Sequence, residues 1–429
     1  MFGGACIRTH WPRLSPLSSA YLFQGVNVAV ALLIVPLLLR YLSAQDYATW
    51  LIFSAICGAT VQVQSAILGV STKEIAHAYH RGGPTDFRAA LARSRRAYAV
   101  LAGVVAGPVL LGAAVYLRST QQAGALELVA WAALIGAYAL VYFFAPNNAV
   151  LLATEGVSAN NNINTATRLV YLVGTLTMLV SGFALLAPCL ALAASSVLGV
   201  VLNSFCARRH LALRKSLPVA NSSAPLRGQL GRYGLFTLSS FLLYNGALLI
   251  VAPLFPSETA SYGLALQTSA LLAAMALIPL QVWLGRLVRA DEVGEAKELR
   301  RSLTACNTLF AAGYAGLIVV APPLLRFIGT EVALPGVGVL TLMYAAFAVE
   351  LNIFVLANHL TAKGDYGFTN WYALAAFSGL LGGACVAWVS GTLWLGFLAF
   401  PLAVQVLFSL PYVVRRTMIR LSPARVRNA

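Results

Sequence analysis

Apolar residues in this chain neither alternate nor recur as a narrow stripe; they fill runs of twenty or more positions, broken by short clusters of charge and turn residues. A helix needs about 20 such residues to cross the hydrocarbon of a bilayer. In lipid each backbone polar group must be satisfied within its own segment, so runs of this kind predict helices. Twelve are predicted, at 17–40, 49–71, 97–117, 128–150, 167–187, 189–207, 233–254, 263–286, 304–327, 334–358, 370–390 and 393–413. Between the fifth and sixth only Ala187-Pro188 interrupts the apolar stretch. Proline lacks a donor and disfavours helix at the residue before it, which predicts a tight turn there. One long kinked helix is the other reading, and it would invert everything downstream.

Charge decides between them, because cytoplasmic loops of membrane proteins collect Lys and Arg. Twelve spans with both termini inside put Arg8, Arg13, the segments from Lys73 to Arg96, Arg208 to Arg232 and Arg286 to Arg301, Arg168, Lys363, and Arg415 to Arg427 on the cytoplasmic side. They hold 26 of the 29 basic residues, leaving only Arg40, Arg118 and Arg326 elsewhere. The formal charge of +16 is then a topology signal beside anionic lipid headgroups, and nucleic-acid binding is not expected. Composition agrees: of 429 residues 59% are hydrophobic and 10% charged, with mean hydropathy +0.79, whereas soluble domains carry about 25% charged residues. The first apolar run is long enough to span and lacks an A-x-A site, so no cleavable signal peptide is expected. The six cysteines stand singly, as small packing residues do, and no metal or other cofactor is expected.

A repeat organises the spans. ALLIVP at Ala31 to Pro36 recurs as ALLIVAP at Ala247 to Pro253, and QDYA at Gln45 to Ala48 recurs loosely as ASYG at Ala260 to Gly263, with offsets of 216 for the alanines and 215 for Tyr47 and Tyr262. A basic amphipathic segment follows the second span of each copy, ending SRRAY at Ser94 to Tyr98 and LRRSL at Leu299 to Leu303. Six spans per copy is an even number, so the halves, 1–215 and 216–429, share one orientation.

The stretch VPLLLRYLSAQDY, Val35 to Tyr47, resembles the first-helix signature of bacterial polysaccharide flippases, and LGVSTKEIA, Leu68 to Ala76, resembles the end of their second helix. The Tyr262 region with the basic segment to Arg301 is similar to the start of their second half. Ser43 and Ala48 stand where glycines are typical of that family. The resemblance implies the fold shared by multidrug and oligosaccharide-lipid exporters, two six-helix lobes around a central cleft in the inner membrane. It also implies an undecaprenyl-pyrophosphate-linked oligosaccharide as substrate, for O-antigen, capsule or exopolysaccharide assembly, with the polysaccharide polymerase machinery as a further partner.

Rival classes fit the residues less well. The loop after the second span, Gly69 to Arg81, lacks the G-x-x-x-D-R-x-G-R-R pattern of major-facilitator carriers. Cation-coupled drug exporters of the shared fold commonly have an acid in the first helix, and Leu17 to Arg40 contains none. A glycan polymerase or ligase calls for a large external loop with polar catalytic groups; the external loops here are short and lack His, so no enzyme is expected.

Candidate substrate contacts are polar residues inside spans. Tyr21, Gln24 and Asn27 recur every three residues on the first helix; Thr237, Ser240 and Tyr244 do likewise on the seventh. They form either a cleft wall for sugar hydroxyls or helix-to-helix hydrogen bonds. A pyrophosphate calls for bidentate cations. Arg168, beside the amide run Asn160 to Asn164 at the cytoplasmic start of the fifth span, suits inward capture, and Arg40 the outward state; snorkelling to headgroups, or pairing of Arg40 with Asp46, explains them without substrate. His77 and His80, three apart, have no third ligand and read as solvated. The alternating charges of Asp291 to Arg301 read as a surface amphipathic helix. Glu350 lies deep in the tenth span. It either faces the cleft and couples transport to an H+ or Na+ gradient, or is a structural acid paired with a polar side chain of a neighbouring helix.

Reporter fusions at Arg88, Arg214 and Lys297 should all be active in a cytoplasm-dependent assay. Periplasmic signal at Arg214 would remove the turn between the fifth and sixth spans.

Overall fold

The computed structural model describes residues 16–81, 84–119, 124–154, 156–212, 227–280, 292–330 and 332–421. The junction at 215/216, Arg214 and both termini lie outside the described residues. The chain is a multi-pass α-helical membrane protein with twelve helices long and apolar enough to span: α1 Ser18–Tyr41, α2 Ala44–Tyr79, α3 Thr85–Arg118, α4 Ala125–Ala153, α5 Val157–Val180, α6 Leu186–Arg209, α7 Gly234–Leu254, α8 Pro256–Leu280, α9 Gly294–Phe327, α10 Val337–Thr361, α11 Thr369–Ser390 and α12 Leu395–Leu421.

Three boundaries differ from expectation, each for a local reason. The break between α5 and α6 falls at Ser181 to Leu185, where Gly182 (φ +83°) and Ala184 (φ +42°) take left-handed backbone, and not at Ala187-Pro188. Pro188 sits in the first turn of the next helix, whose N–H groups have no intrahelical acceptor, so the missing donor costs nothing. Second, α5 begins ten residues earlier than the apolar run, and Asn160 to Asn164 are helical, not a loop. Third, the charged segments are not separate surface helices. Pro84 to Arg96 continues into α3, and the segment from Glu292 continues into α9.

The start of α2 shows why Ser43 to Asp46 is written as it is. The Ser43 hydroxyl accepts the Asp46 backbone N–H at 3.1 Å and donates to the Asp46 carboxylate at 2.8 Å. The pair caps α2 two residues beyond the end of α1. Proline acts later along the chain, where Pro108 falls within a π-helical turn at Val105–Val109 and Pro401 follows another at Leu395–Ala399. A wider turn accommodates a ring that would otherwise clash with the preceding carbonyls.

The six helices of each half pack in the same pattern. α1 lies on α5, α2 on α3 and α4, α3 on α4, and α6 on both α4 and α5; correspondingly α7 lies on α11, α8 on α9 and α10, α9 on α10, and α12 on both α10 and α11. The lobes meet where α2 packs against α7 and α8. Close approach there requires glycine: a Cβ on Gly58 would overlap the Phe241 ring, and one on Gly263 the Leu51 side chain. Tyr47, fully buried, donates its hydroxyl across this seam to Gln267 Oε1 at 3.1 Å, and Tyr116 of α3 donates to the Leu249 carbonyl of α7 at 2.5 Å.

Candidate functional site: two cavities meeting at Arg168

Arg168 is the twelfth of the 24 residues of α5. At 1.5 Å per residue it lies about 16 Å from one end of the helix and about 18 Å from the other. It stands further from the helix start than the apolar run predicts, because the polar first turns of α5, carrying four asparagines, do not register as an apolar run. Arg168 is exposed, and among the described residues it has no ion pair.

Two cavities flank it. The first, 410 Å³, lies between the lobes and is lined by α1, α2, α5, α8 and α9. Its wall is chiefly aliphatic, from residues such as Ile34, Leu38, Leu264, Leu271 and Leu317, with polar groups limited to Asn27, Ser54, Arg168, Gln267 and Thr268 beside Tyr171 and Trp50. The second, 320 Å³, lies inside the first lobe between α1, α2, α4, α5 and α6, and amides and hydroxyls dominate its polar wall: Gln64, Asn148, Asn164, Asn203, Ser195 and Ser196. Helical periodicity gathers them, since Tyr138, Val141, Ala145 and Asn148 share one face of α4 while Ser195, Ser196, Gly199 and Asn203 share one face of α6. Arg168 and Tyr171, one turn apart, line both cavities, and among the described residues neither wall includes an acid.

The remaining candidates scatter. Asn27 lines the inter-lobe cavity, but Tyr21 is 46% exposed, and Gln24 lines neither cavity. Arg40 is exposed with its guanidinium 5.8 Å from the centre of the Tyr41 ring, and Asp46, its conceivable partner, is engaged by Ser43. Thr237 bonds the Gly234 carbonyl one turn back at 3.1 Å. Ser240 and Tyr244 turn into the second lobe. Ser240 donates to Glu350 Oε1 at 2.5 Å, and Tyr244 donates weakly to the Ala346 carbonyl at 3.4 Å while its ring stacks on Phe347. Glu350 is therefore buried within the second lobe and lines neither cavity; the Tyr372 hydroxyl donates to the same oxygen, and Oε2 has no hydrogen-bond partner among the described residues. His77 is exposed near the end of α2, and the side chain of His80 lies outside the described residues.

A charged node at the α9/α10/α12 end of the second lobe escaped sequence reasoning. Glu295 is 6% exposed, with Oε1 3.0 Å from His359 Nε2 and Oε2 3.1 Å from Lys363 Nζ. Arg420 approaches to 3.8 Å. The signal was present: Glu295, Leu299, Ser302, Cys306 and Phe310 recur at helical spacing, and all are buried on the continuous α9. Next to this node the Arg416 guanidinium grips the Asp365 carboxylate through three contacts of 2.7–2.9 Å. The Gly367 N–H donates to Asp365 as well, and a Cβ on Gly367 would collide with the guanidinium.

No family profile matches the sequence, and no curated protein does either. Solved structures do match over nearly the whole chain. An inward-facing multidrug resistance MATE family transporter of the MOP superfamily is 14% identical, with 91% of this chain and 95% of that chain covered and a TM-score of 0.63. The chain has the fold of these transporters. A MOP superfamily transporter from Pyrococcus furiosus, described as having a binding pocket of reverse polarity, is 14% identical over 93% and 94% of the two chains, TM-score 0.56. The lipid II flippase MurJ in an inward closed conformation is 11% identical over 95% and 89%, TM-score 0.51. These neighbours are transporters, not enzymes, and they match the twelve-helix, two-lobe layout expected from the repeat.

Partial burial pushes the Asp365 carboxyl up, but the hydrogen bonds from Arg416 and the Gly367 N–H outweigh it and hold the group below its ordinary range. A depressed folded-state value means the pairing stabilises the fold above that range and is lost as pH falls through it. In thermal melts of the detergent-solubilised chain, Asp365→Asn should lower the midpoint at about pH 7, and the gap to wild type should close toward about pH 3. A gap of constant size across that interval would mean the ion pair contributes nothing.

Proposed function

We propose that the chain flips an amphiphile with an anionic junction between its polar and apolar parts, most specifically an undecaprenyl-pyrophosphate-linked oligosaccharide for surface polysaccharide assembly. The observation that carries this reading is the shared wall of the two cavities: Arg168, midway along α5 and without an ion pair among the described residues, with an aliphatic cavity on one side and an amide-lined cavity on the other. A guanidinium offers paired, charge-assisted donors to phosphate oxygens. Intramembrane ionisable groups are costly and tend to mark substrate pathways. The short signatures that resemble polysaccharide flippases support the same class, and the fold shared with a lipid II flippase is compatible with it. On this reading the protein resides in the inner membrane with cytoplasmic termini, its partners are the lipid-linked oligosaccharide, membrane lipids and the polysaccharide polymerase machinery, and it binds no nucleic acid.

Arg40, at the end of α1 and outside both cavities, is less suited to the phosphate than Arg168. A cation-coupled drug exporter is the second reading, favoured by the fold shared with a multidrug resistance transporter. For either reading the candidate for coupling to an H+ or Na+ gradient is Glu350, which lies outside both cavities, is held by the Ser240 and Tyr372 hydroxyls and has no ion pair among the described residues.

Loss of the gene should leave lipid-linked oligosaccharide built but confined to the inner leaflet, with little surface polymer; normal surface glycan with lost drug resistance would favour the exporter. Arg168→Lys keeps the charge but removes the fork, so export should drop about tenfold or more at unchanged protein level. Unchanged export would take Arg168 out of phosphate recognition. Glu350→Gln keeps the Ser240 and Tyr372 contacts while abolishing titration. It should insert normally yet lose gradient-driven transport, and full gradient-dependent activity would exclude Glu350 from coupling.

A further inference from the structure

The second lobe closes the joint between α9, α10 and α12 with charge, while the first lobe closes the matching joint with small apolar side chains. The repeat that pairs SRRAY with LRRSL also pairs Ala90 with Glu295, four positions before the start of each motif. Ala90 is buried in an apolar cluster with Ala149 and Ala153 of α4 and Ala207 of α6, the helices that correspond to α10 and α12. Glu295 takes that place on α9 and meets His359 and Lys363 at the end of α10 and Arg420 at the end of α12. Packing does not call for charge here, and replacing a buried ion pair by apolar residues of similar volume is often neutral or stabilising. A role other than stability follows.

The contacts within the node are unequal. Lys363 Nζ holds one carboxylate oxygen, Oε2, at 3.1 Å. His359 Nε2, at 3.0 Å, and Arg420 Nε, at 3.8 Å, both approach the other, Oε1. Neither imidazole nitrogen, nor Arg420 Nε, nor Oε1 has a hydrogen-bond partner in good geometry among the described residues, so Oε1 is contested and not firmly bound. The imidazole is fully buried, whereas the Arg420 side chain is 27% exposed in the last turn of α12.

The charged and titratable groups around the ring come from every element at this end. On α9 they are Glu295 and Glu298, the latter with a buried Oε2 that has no hydrogen-bond partner among the described residues, and the exposed Lys297, Arg300 and Arg301. After α10 come Lys363 and Asp365, and on α12 Arg416, which holds Asp365, and Arg420. α8 also packs on α10, but its described residues include only Glu258 and Tyr262 as titratable groups, both near its opposite end. With His359 neutral, one carboxylate oxygen faces a neutral ring and a guanidinium. A proton on the ring puts two cations at that oxygen, and like charges so close repel. The buried ring has no room to leave, while the guanidinium has water beside it, so Arg420 is the group displaced. Histidine is the side chain whose ordinary titration falls between about pH 5 and 8.

We propose that Glu295, His359 and Arg420 form a proton-operated latch between α9 and α12, closed while His359 is neutral and opened when it takes up a proton. Opening frees the last turn of α12, so acidification on this side loosens one end of the second lobe. On the proposed topology that side is the cytoplasm. The latch involves a different acid from Glu350 and requires no particular substrate.

Backbone hydrogen exchange read by mass spectrometry tests it, on the full chain in lipid nanodiscs at pH 8 and pH 5, with the intrinsic rate at each pH divided out. In wild type residues 413–421 should exchange about tenfold faster at pH 5, the change that one unit of displacement in a single group's titration produces. The matching apolar end of α6 around Ala207 should not respond. His359→Gln cannot titrate and should keep its pH 8 protection at both values, whereas Arg420→Gln should be equally unprotected at both. The Asp365–Arg416 pair stays charged at pH 5, because its carboxyl titrates below the ordinary range. Unchanged exchange of residues 413–421 in wild type would overturn the latch without any variant. A response that survives His359→Gln would hand the titration to Glu295 or Glu298, and one that survives Arg420→Gln would take the guanidinium out of it; either would overturn the proposal.

Discussion

Everything in this molecule is subordinate to one constraint: in hydrocarbon, each peptide N–H and C=O must find its partner inside its own segment. The constraint forces twelve helices, and it also governs how their side chains behave. A Ser or Thr that points at its own helix satisfies itself on a carbonyl three or four residues back, as Thr49, Thr60, Ser239 and Ser269 do. Polar contacts between helices are consequently few, and each marks a place where two segments are held in register. Tyr47 with Gln267 joins the lobes, Thr60 with Tyr142 joins α2 to α4, and the reciprocal amide pair Asn307–Asn352, at 2.9 and 3.0 Å, joins α9 to α10.

The two lobes obey one packing scheme and use their interiors differently. In the second, aromatic rings pack against one another: Phe236 packs edge-on against Phe368 and Tyr372 and stacks on Phe354, and the Tyr244 ring stacks on Phe347. The acids Glu350 and Glu295 sit inside this lobe, held by hydroxyls in one case and by His359 and Lys363 in the other. Small side chains complete the fit, since a Cβ on Gly383 would strike the Gly396 carbonyl where α11 crosses α12. The first lobe keeps its asparagines around a cavity.

The repeat shows how the same letters acquire different meanings. ALLIVP on α1 lines the inter-lobe cavity from Ala31 to Pro36, whereas in ALLIVAP on α7 the residues Ala247, Leu248, Val251 and Ala252 are buried in the core. Tyr47 and Tyr262, also related by the repeat, are both fully buried, yet one bonds across the lobe seam and the other packs beside Trp394. Sequence symmetry therefore fixed the scaffold without fixing which copy meets the cavity.

The number of spans and the pairing of the two halves were legible in the residues because hydrophobic length and periodicity are local properties that the bilayer reads directly. The place of Arg168 midway along α5 was not legible. The polar turns of Asn160 to Asn164 hid the true start of α5, and only the packing of α1, α4 and α6 around them makes a helix of that composition tenable. Likewise Glu295 reads as one more charge in a basic segment until α10 and α12 bring His359, Lys363 and Arg420 to it. Gln64, Asn148, Asn164 and Asn203, drawn from four helices and up to 139 positions apart, converge only when the helices are bundled. By itself the sequence determined what each segment must be, since that depends on neighbours within a turn or two. Which polar groups share a cavity, and which acids are buried with partners, was decided by contacts between distant helices, because burial and charge compensation are properties of the assembled bundle.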